Sequence, residues 1–203
     1  MRHLLIGIIS DTHGLLRQEV ISELKNTDMV IHAGDIDCQS VVDQLKNISS
    51  SLTVVRGNAD KDWADNIPQS AWLEILGNRI YVIHNKGKIS EDISGADIII
   101  YGHSHKYSLT EKDGQIWFNP GCCGKRRPDQ EISFGILEIR GKEDFEFSKI
   151  VVESKINDTK LPKNIDTIIT KHHRRCPICR LGHYGKSNYE WCKNCRDCLF
   201  AIV

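Results

Sequence analysis

The chain has 203 residues, with 27 basic and 27 acidic side chains and a formal net charge of zero. That length allows one full hydrophobic core and a small appendage, and the even charge balance excludes a nucleic-acid or membrane signature for the chain as a whole. No run approaches the roughly 18 apolar residues that span a bilayer, and the first apolar run starts too close to Met1 to form a signal peptide, so a cytoplasmic protein is expected.

The first half alternates apolar runs with helical stripes. Leu4–Ile9 reads as a strand and ends in Ser10-Asp11-Thr12-His13-Gly14. Apolar residues at Leu15, Leu16, Val20, Ile21 and Leu24 predict a helix within Leu15–Asn26. Met29–Ile31 is the next strand and ends in His32-Ala33-Gly34-Asp35, and Cys38–Lys46 predicts a second helix. Leu52–Val55 then leads into Arg56-Gly57-Asn58-Ala59-Asp60. Strand, helix, strand, helix, strand is the pattern of a mostly parallel sheet covered on both faces.

After Asn66 the pattern changes to hairpins. Ala71–Leu76 and Arg79–Ile83 pair around Gly77-Asn78, Tyr107–Glu111 and Gln115–Phe118 around Asp113-Gly114, and Ser133–Arg140 and Phe145–Val152 around Gly141-Lys142. Within this half Ile80–Ile83 ends at His84, Ile98–Tyr101 ends at Gly102-His103-Ser104-His105, and Ile116–Phe118 ends at Asn119-Pro120-Gly121. The expected fold is an α/β sandwich of two sheets packed face to face with helices outside. Residues 1–152 form this domain, 153–170 a polar linker and 171–203 a small separate segment.

Asp11, His13, Asp35, Asn58, His84, His103 and His105 are oxygen or imidazole donors that follow the ends of apolar runs. Groups just past the carboxyl ends of strands converge on one crevice in a layered α/β protein. A mixed carboxylate and imidazole set suits Mn, Ni, Fe or Zn, whereas an all-thiolate or all-oxygen set would select other ions. Two such ions about 3.5 to 4 Å apart need a bridging carboxylate, for which Asp35 is the natural choice, and they acidify a shared water into a hydroxide nucleophile. His32 and His3 stand outside the pattern and are read as structural or surface histidines.

The ordered motifs Asp11-Thr12-His13, Gly34-Asp35, Gly57-Asn58-Ala59-Asp60, His84 and Gly102-His103-Ser104-His105 resemble those of the calcineurin-like metallophosphoesterases, most closely the small YfcE-like phosphodiesterase branch. The resemblance covers about residues 4 to 152. It implies a hydrolase for small phosphodiester or nucleotide-type substrates. It also implies one ion held by Asp11, His13, Asp35 and His105 and another by Asp35, Asn58, His84 and His103. Asn58, His84 and His103 are then expected to act in catalysis, and Lys86 and Asn119 to meet the substrate.

Two positions depart from relatives in that superfamily. Many carry a histidine after the Gly-Asn pair, where this chain has Ala59, so one candidate proton donor is missing. The branch often has His-Gly-His where this chain has His84-Asn85-Lys86. Alternatives from other functional classes are a phosphomonoesterase or nuclease guided by the tail, and a non-catalytic binding scaffold such as the retromer subunit that resembles the family. The scaffold has lost part of its donor set, whereas all seven positions are occupied by competent ligands here.

Five of the eight cysteines fall in the last 28 residues. Cys176, Cys179, Cys192 and Cys195 form two C-x-x-C pairs twelve residues apart, the spacing of two knuckles that close one structural zinc site. Cys198, His172, His173 and His183 are the substitutes for a fourth ligand. Residues 171–203 carry seven basic and two acidic side chains with Tyr184, Tyr189 and Trp191 among them, which suits contact with a nucleic acid or a docking protein. Cys38, Cys122 and Cys123 are expected as free thiols.

Overall fold

The computed structural model describes residues 3–125 and 130–152. The expected linker 153–170 and the expected zinc-binding segment 171–203, with Cys176, Cys179, Cys192 and Cys195, lie outside the described residues. Among those described, no helix is long and apolar enough to cross a membrane.

Ten strands form two five-stranded sheets. The first contains β1 (Leu4–Ile9), β2 (Met29–His32), β3 (Leu52–Val54), β9 (Ser133–Gly141) and β10 (Asp144–Val151), in the order β10-β9-β1-β2-β3. The second contains β4 (Ser70–Ile75), β5 (Asn78–Ile83), β6 (Ile98–Ile100), β7 (Tyr107–Lys112) and β8 (Gln115–Pro120), in the order β4-β5-β6-β8-β7. Strands β1, β2 and β3 are mutually parallel, and so are β5, β6 and β8. Each sheet therefore has three adjacent parallel strands, flanked in the first by the antiparallel β9–β10 hairpin on one side and in the second by antiparallel β4 and β7 on the two sides.

The core explains this two-layer arrangement. Ile6, Ile8 and Ile31 of the first sheet pack with Ile80, Val82, Ile98, Ile100 and Phe118 of the second, all with essentially no solvent exposure. Each of these side chains contributes about 2 kcal/mol by leaving water. Strand residues alternate between faces, so Ile9 and Val30 point the other way. They pack with Val20 and Leu24 of α1 (Gln18–Leu24) and with Val41, Val42 and Leu45 of α2 (Gln39–Ile48). The expected sandwich is present, with one adjustment. Both helices cover a single face of the first sheet, and the second sheet covers the other.

Candidate metal centre

The carboxyl ends of β1, β2, β3, β5 and β6 run into loops that carry the seven donors. Asp11, His13, Asp35 and His105 each direct a ligand atom to one place, and these four atoms lie within 4.8 Å of one another. His105 Nε2 is 3.2 Å from Asp11 Oδ1 and 3.4 Å from His13 Nε2. His84 Nε2 is 3.3 Å from Asp35 Oδ2, and the His84 and His103 rings meet edge to face at 5.3 Å. Asn58 and His103 are exposed.

The backbone is bent to aim these groups. Asp11, His13, Asp35, Asp37, His103 and His105 all adopt left-handed φ between 48° and 71°. That region is uncommon for residues other than glycine. The remaining left-handed non-glycine residues among those described, Leu76, Asp113 and Glu143, lie in hairpin turns.

Two glycines let the loops meet. A Cβ on Gly57 would strike the Asp35 carboxylate and backbone nitrogen, and one on Gly102 would strike Ser10 Oγ and come within 2.8 Å of Asp11 Oδ2.

Hydrogen bonds from outside the cluster fix its members. Ala59 N donates to Asp35 Oδ1 at 2.8 Å. Ser10 Oγ donates to Asp11 Oδ2 at 2.6 Å, and His103 N reaches the same oxygen at 3.2 Å. His84 Nδ1 donates to the Ala33 carbonyl at 2.8 Å, so a neutral His84 turns an unprotonated Nε2 toward the Asp35 carboxylate. Asp37 meets His13 Nδ1 at 3.2 Å and leaves its Nε2 facing inward.

The donor set fits a cation. Asp11 Oδ1 and His84 Nε2 are buried without a hydrogen-bond partner. Two acceptors 3.3 Å apart, His84 Nε2 and Asp35 Oδ2, repel unless a proton or a metal ion lies between them. The electrostatics agree. Burial pushes the Asp11 carboxyl up to about 6, against the Ser10 hydrogen bond and nearby histidines. Burial also acts on Asp35 and would raise it, but the facing His84 ring when protonated, the Ala59 amide and His13 outweigh it and hold that carboxyl at about 2. Burial lowers the His84 imidazole, and Asp35 and Asp11 more than reverse it, so its net shift is upward.

Several neighbours become visible only in three dimensions. Asp60 is buried and accepts from the amides of Ile36, Asp37 and Gly57 at 2.7 to 2.9 Å, tying the loop after β3 to the loop after β2. His32, expected to be structural, is fully buried. Its Nδ1 accepts from Gly34 N at 3.1 Å and its Nε2 meets Thr12 Oγ1 at 3.0 Å, joining the first two ligand loops. Burial lowers its pKa to about 3. His3 is exposed. Asp37 was absent from the expected set, although its position two residues after Asp35 was a usable signal.

The two residues expected at the substrate have protein partners of their own. Asn119 is fully buried. Its Nδ2 donates to Gly102 O and Ser104 Oγ, and its Oδ1 accepts from Gly121 N, so it holds the loop that carries His103 and His105. Lys86 Nζ stands 4.7 Å over the Tyr101 ring and 3.5 Å from its hydroxyl. From the same turn, Lys88 instead lines an open cleft of about 330 Å³ beside Asn58 and His84. Cys38 and Cys123 are free thiols, Cys123 buried, and the buried Cys122 Sγ donates to Asp11 O at 3.0 Å.

A two-sheet α/β sandwich that gathers carboxylates and imidazoles past parallel strand ends has the architecture of a metallophosphoesterase. Residues 4–142 match the calcineurin-like phosphoesterase superfamily domain, and the chain belongs to that family. A phosphodiesterase of Methanocaldococcus jannaschii is 30% identical over 170 residues, covering 73% of this chain and 99% of the relative. The phosphodiesterase YfcE of Escherichia coli K12 is 27% identical over 108 residues, 48% of this chain and 58% of the relative. A solved structure of an archaeal phosphodiesterase aligns with a TM-score of 0.61 at 25% identity, covering 73% of this chain and 100% of that one.

Proposed function

We propose that this chain is a phosphodiesterase dependent on two divalent ions. Asp11, His13, Asp35 and His105 would hold one ion, and Asp35, Asn58, His84 and His103 the other, with Asp35 as the bridge. The observation that carries this reading is the convergence of four ligand atoms within 4.8 Å, beside an imidazole whose outer nitrogen is already committed to a carbonyl. Mixed oxygen and imidazole donors suit Mn, Ni, Fe or Zn. Bound there, such ions supply Lewis acidity toward the phosphoryl oxygens and a hydroxide nucleophile at neutral pH.

The chain's own groups do the rest. Ala59 N and Gly57 keep Asp35 in one orientation, so the bridging carboxylate does not have to reorganise. Asn58 and His103 are exposed at the mouth, where they can orient a phosphoryl group. The full donor set favours catalysis over a scaffold role. The diester preference follows the similarity to proteins named phosphodiesterases.

The test is hydrolysis of bis(4-nitrophenyl) phosphate by metal-stripped protein reloaded with Mn²⁺, Ni²⁺ or Zn²⁺. Activity should return with metal and fall by about three orders of magnitude in Asp35→Asn. Wild-type rates in the stripped protein, or in a folded Asp35→Asn, would refute the reading.

A further inference from the structure

We infer that the cleft beside His84 is a subsite for a second anionic group of the substrate. The favoured class is then a phosphodiester with a further phosphate on the moiety lodged there, such as an ester of a nucleoside bisphosphate. This inference rests on the phosphodiesterase reading and extends it to substrate class.

The cleft extends from one edge of the reacting centre, where Asn58 and His84 would hold the second ion. Its lining includes Asn58 and His84 but not Asp11, His13 or His105. An occupant is therefore an extension of a substrate whose phosphodiester sits at the donor cluster. At about 330 Å³ it has room for a nucleotide-sized fragment. One wall comes from residues after β3, Arg56 to Gln69, and the other from Ile83 to Lys88.

Charge in the cleft points to an anion. Arg56 already has an acid, with Nη1 3.1 Å from Asp65 Oδ1. The Asp60 carboxylate accepts three backbone amides and is buried away from a ligand. Lys61, on one wall, bonds only the Asn58 carbonyl, at 3.4 Å, among the described residues. Lys88, on the other wall, has no ion pair among the described residues. Asp62 is the one further acid in the lining, so the two lysines outnumber it.

The turn that presents Lys88 is held in shape, because Asn85 Oδ1 accepts from Gly87 N at 2.9 Å. Ions held at the donor cluster would neutralise the reacting phosphate, and a second phosphate needs cations of its own. Lys61 and Lys88 supply them from two segments, with the amide of Gln69 available as a further donor.

Two measurements on the full chain, loaded with Mn²⁺, test this. The first compares kcat/KM for the 4-nitrophenyl 5′-ester of a nucleoside 3′,5′-bisphosphate with that for the same ester lacking the 3′-phosphate. Wild type should prefer the bisphosphate at least tenfold, through KM. In Lys88→Ala and Lys61→Ala/Lys88→Ala the loss on the bisphosphate should exceed the loss on the simple ester by about tenfold. Equal losses, or no preference in wild type, would overturn the inference.

The second measurement is calorimetric binding of a nucleoside 3′,5′-bisphosphate against the 5′-monophosphate. Wild type should bind the bisphosphate at least tenfold more tightly, with the advantage lost in the double variant, and equal affinities would overturn the inference even if no ester were hydrolysed. Hydrolysis of neither ester, with the bisphosphate still bound selectively, would instead sink the phosphodiesterase reading and leave the anion subsite standing.

Discussion

Asp37 Oδ2 lies 3.2 Å from His13 Nδ1, so a carboxylate outside the expected donor set fixes which imidazole nitrogen faces the cluster. Outer carboxylates that orient a metal-binding histidine typically change metal affinity by about 10- to 100-fold when removed. Asp37→Ala should weaken binding of the first Mn²⁺ or Zn²⁺ by that factor, measured by competition with a chromophoric chelator. Affinity equal to wild type would show that the contact does not hold the ring.

Gly57 leaves room for the Asp35 carboxylate that the Ala59 amide holds. Gly57→Ala should displace that carboxylate, because the added Cβ meets Asp35 backbone as well as side-chain atoms. We expect a stability loss of about 1 to 3 kcal/mol and a fall in kcat of about 100-fold. Thermal unfolding and steady-state kinetics, measured together, separate a misplaced carboxylate from a misfolded chain. A wild-type kcat would mean that Asp35 tolerates the shift.

His32 makes stability depend on pH. Its folded pKa is about 3, below the unfolded value of 6.5, because burial disfavours the charged ring. The unfolded chain therefore binds the proton first as pH falls. The contribution of His32 is fully present above pH 6.5 and declines toward pH 3, at up to about 1.4 kcal/mol per pH unit. Urea unfolding of wild type and His32→Gln between pH 7 and 4 should show a shallower slope in the variant. Parallel slopes would assign the acid sensitivity to other groups.

Ala59 places a methyl group where, by the resemblance noted above, many phosphatases of the wider superfamily carry an imidazole. Poor leaving groups should therefore slow the reaction more steeply than in those relatives, and Ala59→His should flatten the dependence of log kcat on leaving-group pKa. An unchanged slope across a series of aryl esters would show that another group already protonates the departing oxygen.

The tail carries a separate expectation. Replacing Cys176 and Cys192 by Ser in the full chain should remove about one tightly held zinc per chain and leave the exchangeable ions at the donor cluster. Elemental analysis after gel filtration reads this directly. Equal zinc in variant and wild type would remove the proposed ribbon.

Much of the fold was legible where apolar runs end abruptly. Leu4–Ile9 is a strand in both readings because Ser10-Asp11 stops it. The first helix begins at Gln18, although the apolar stripe starts at Leu15. Leu16 is buried from the preceding loop, and periodicity registers burial without distinguishing helix from loop. Gly77-Asn78 looked like a turn, but the turn is Leu76-Gly77. Asn78 is instead buried, donating to Gly141 O at 2.8 Å and accepting from Glu143 N at 2.9 Å. Its amide thus bridges two hairpins, and no local pattern announces that. The parallel pairing of β5, β6 and β8 was also hidden among the hairpin signals, because partner choice depends on residues far away in sequence.

The candidate site was legible as a set of donors, but not in its supporting shell. Asp11, His13, Asp35 and His105 could be picked out because each follows an apolar run. Asp37, Asp60 and Ser10 act through contacts that only the folded loops create. Lys86 and Lys88 differ by two residues, yet one stands over Tyr101 and the other lines the cleft.

The six left-handed residues of the donor loops have a consequence for how the sequence can drift. Each strains the backbone by on the order of 1 kcal/mol relative to glycine, so the donor residues are held against local conformational preference. Substitutions such as His13→Gly or Asp35→Gly would relieve that strain while deleting a donor. Descendants released from selection for activity would thus become more stable as they lost it. Glycines gathering at these six positions would mark a lineage that kept the scaffold and abandoned the chemistry.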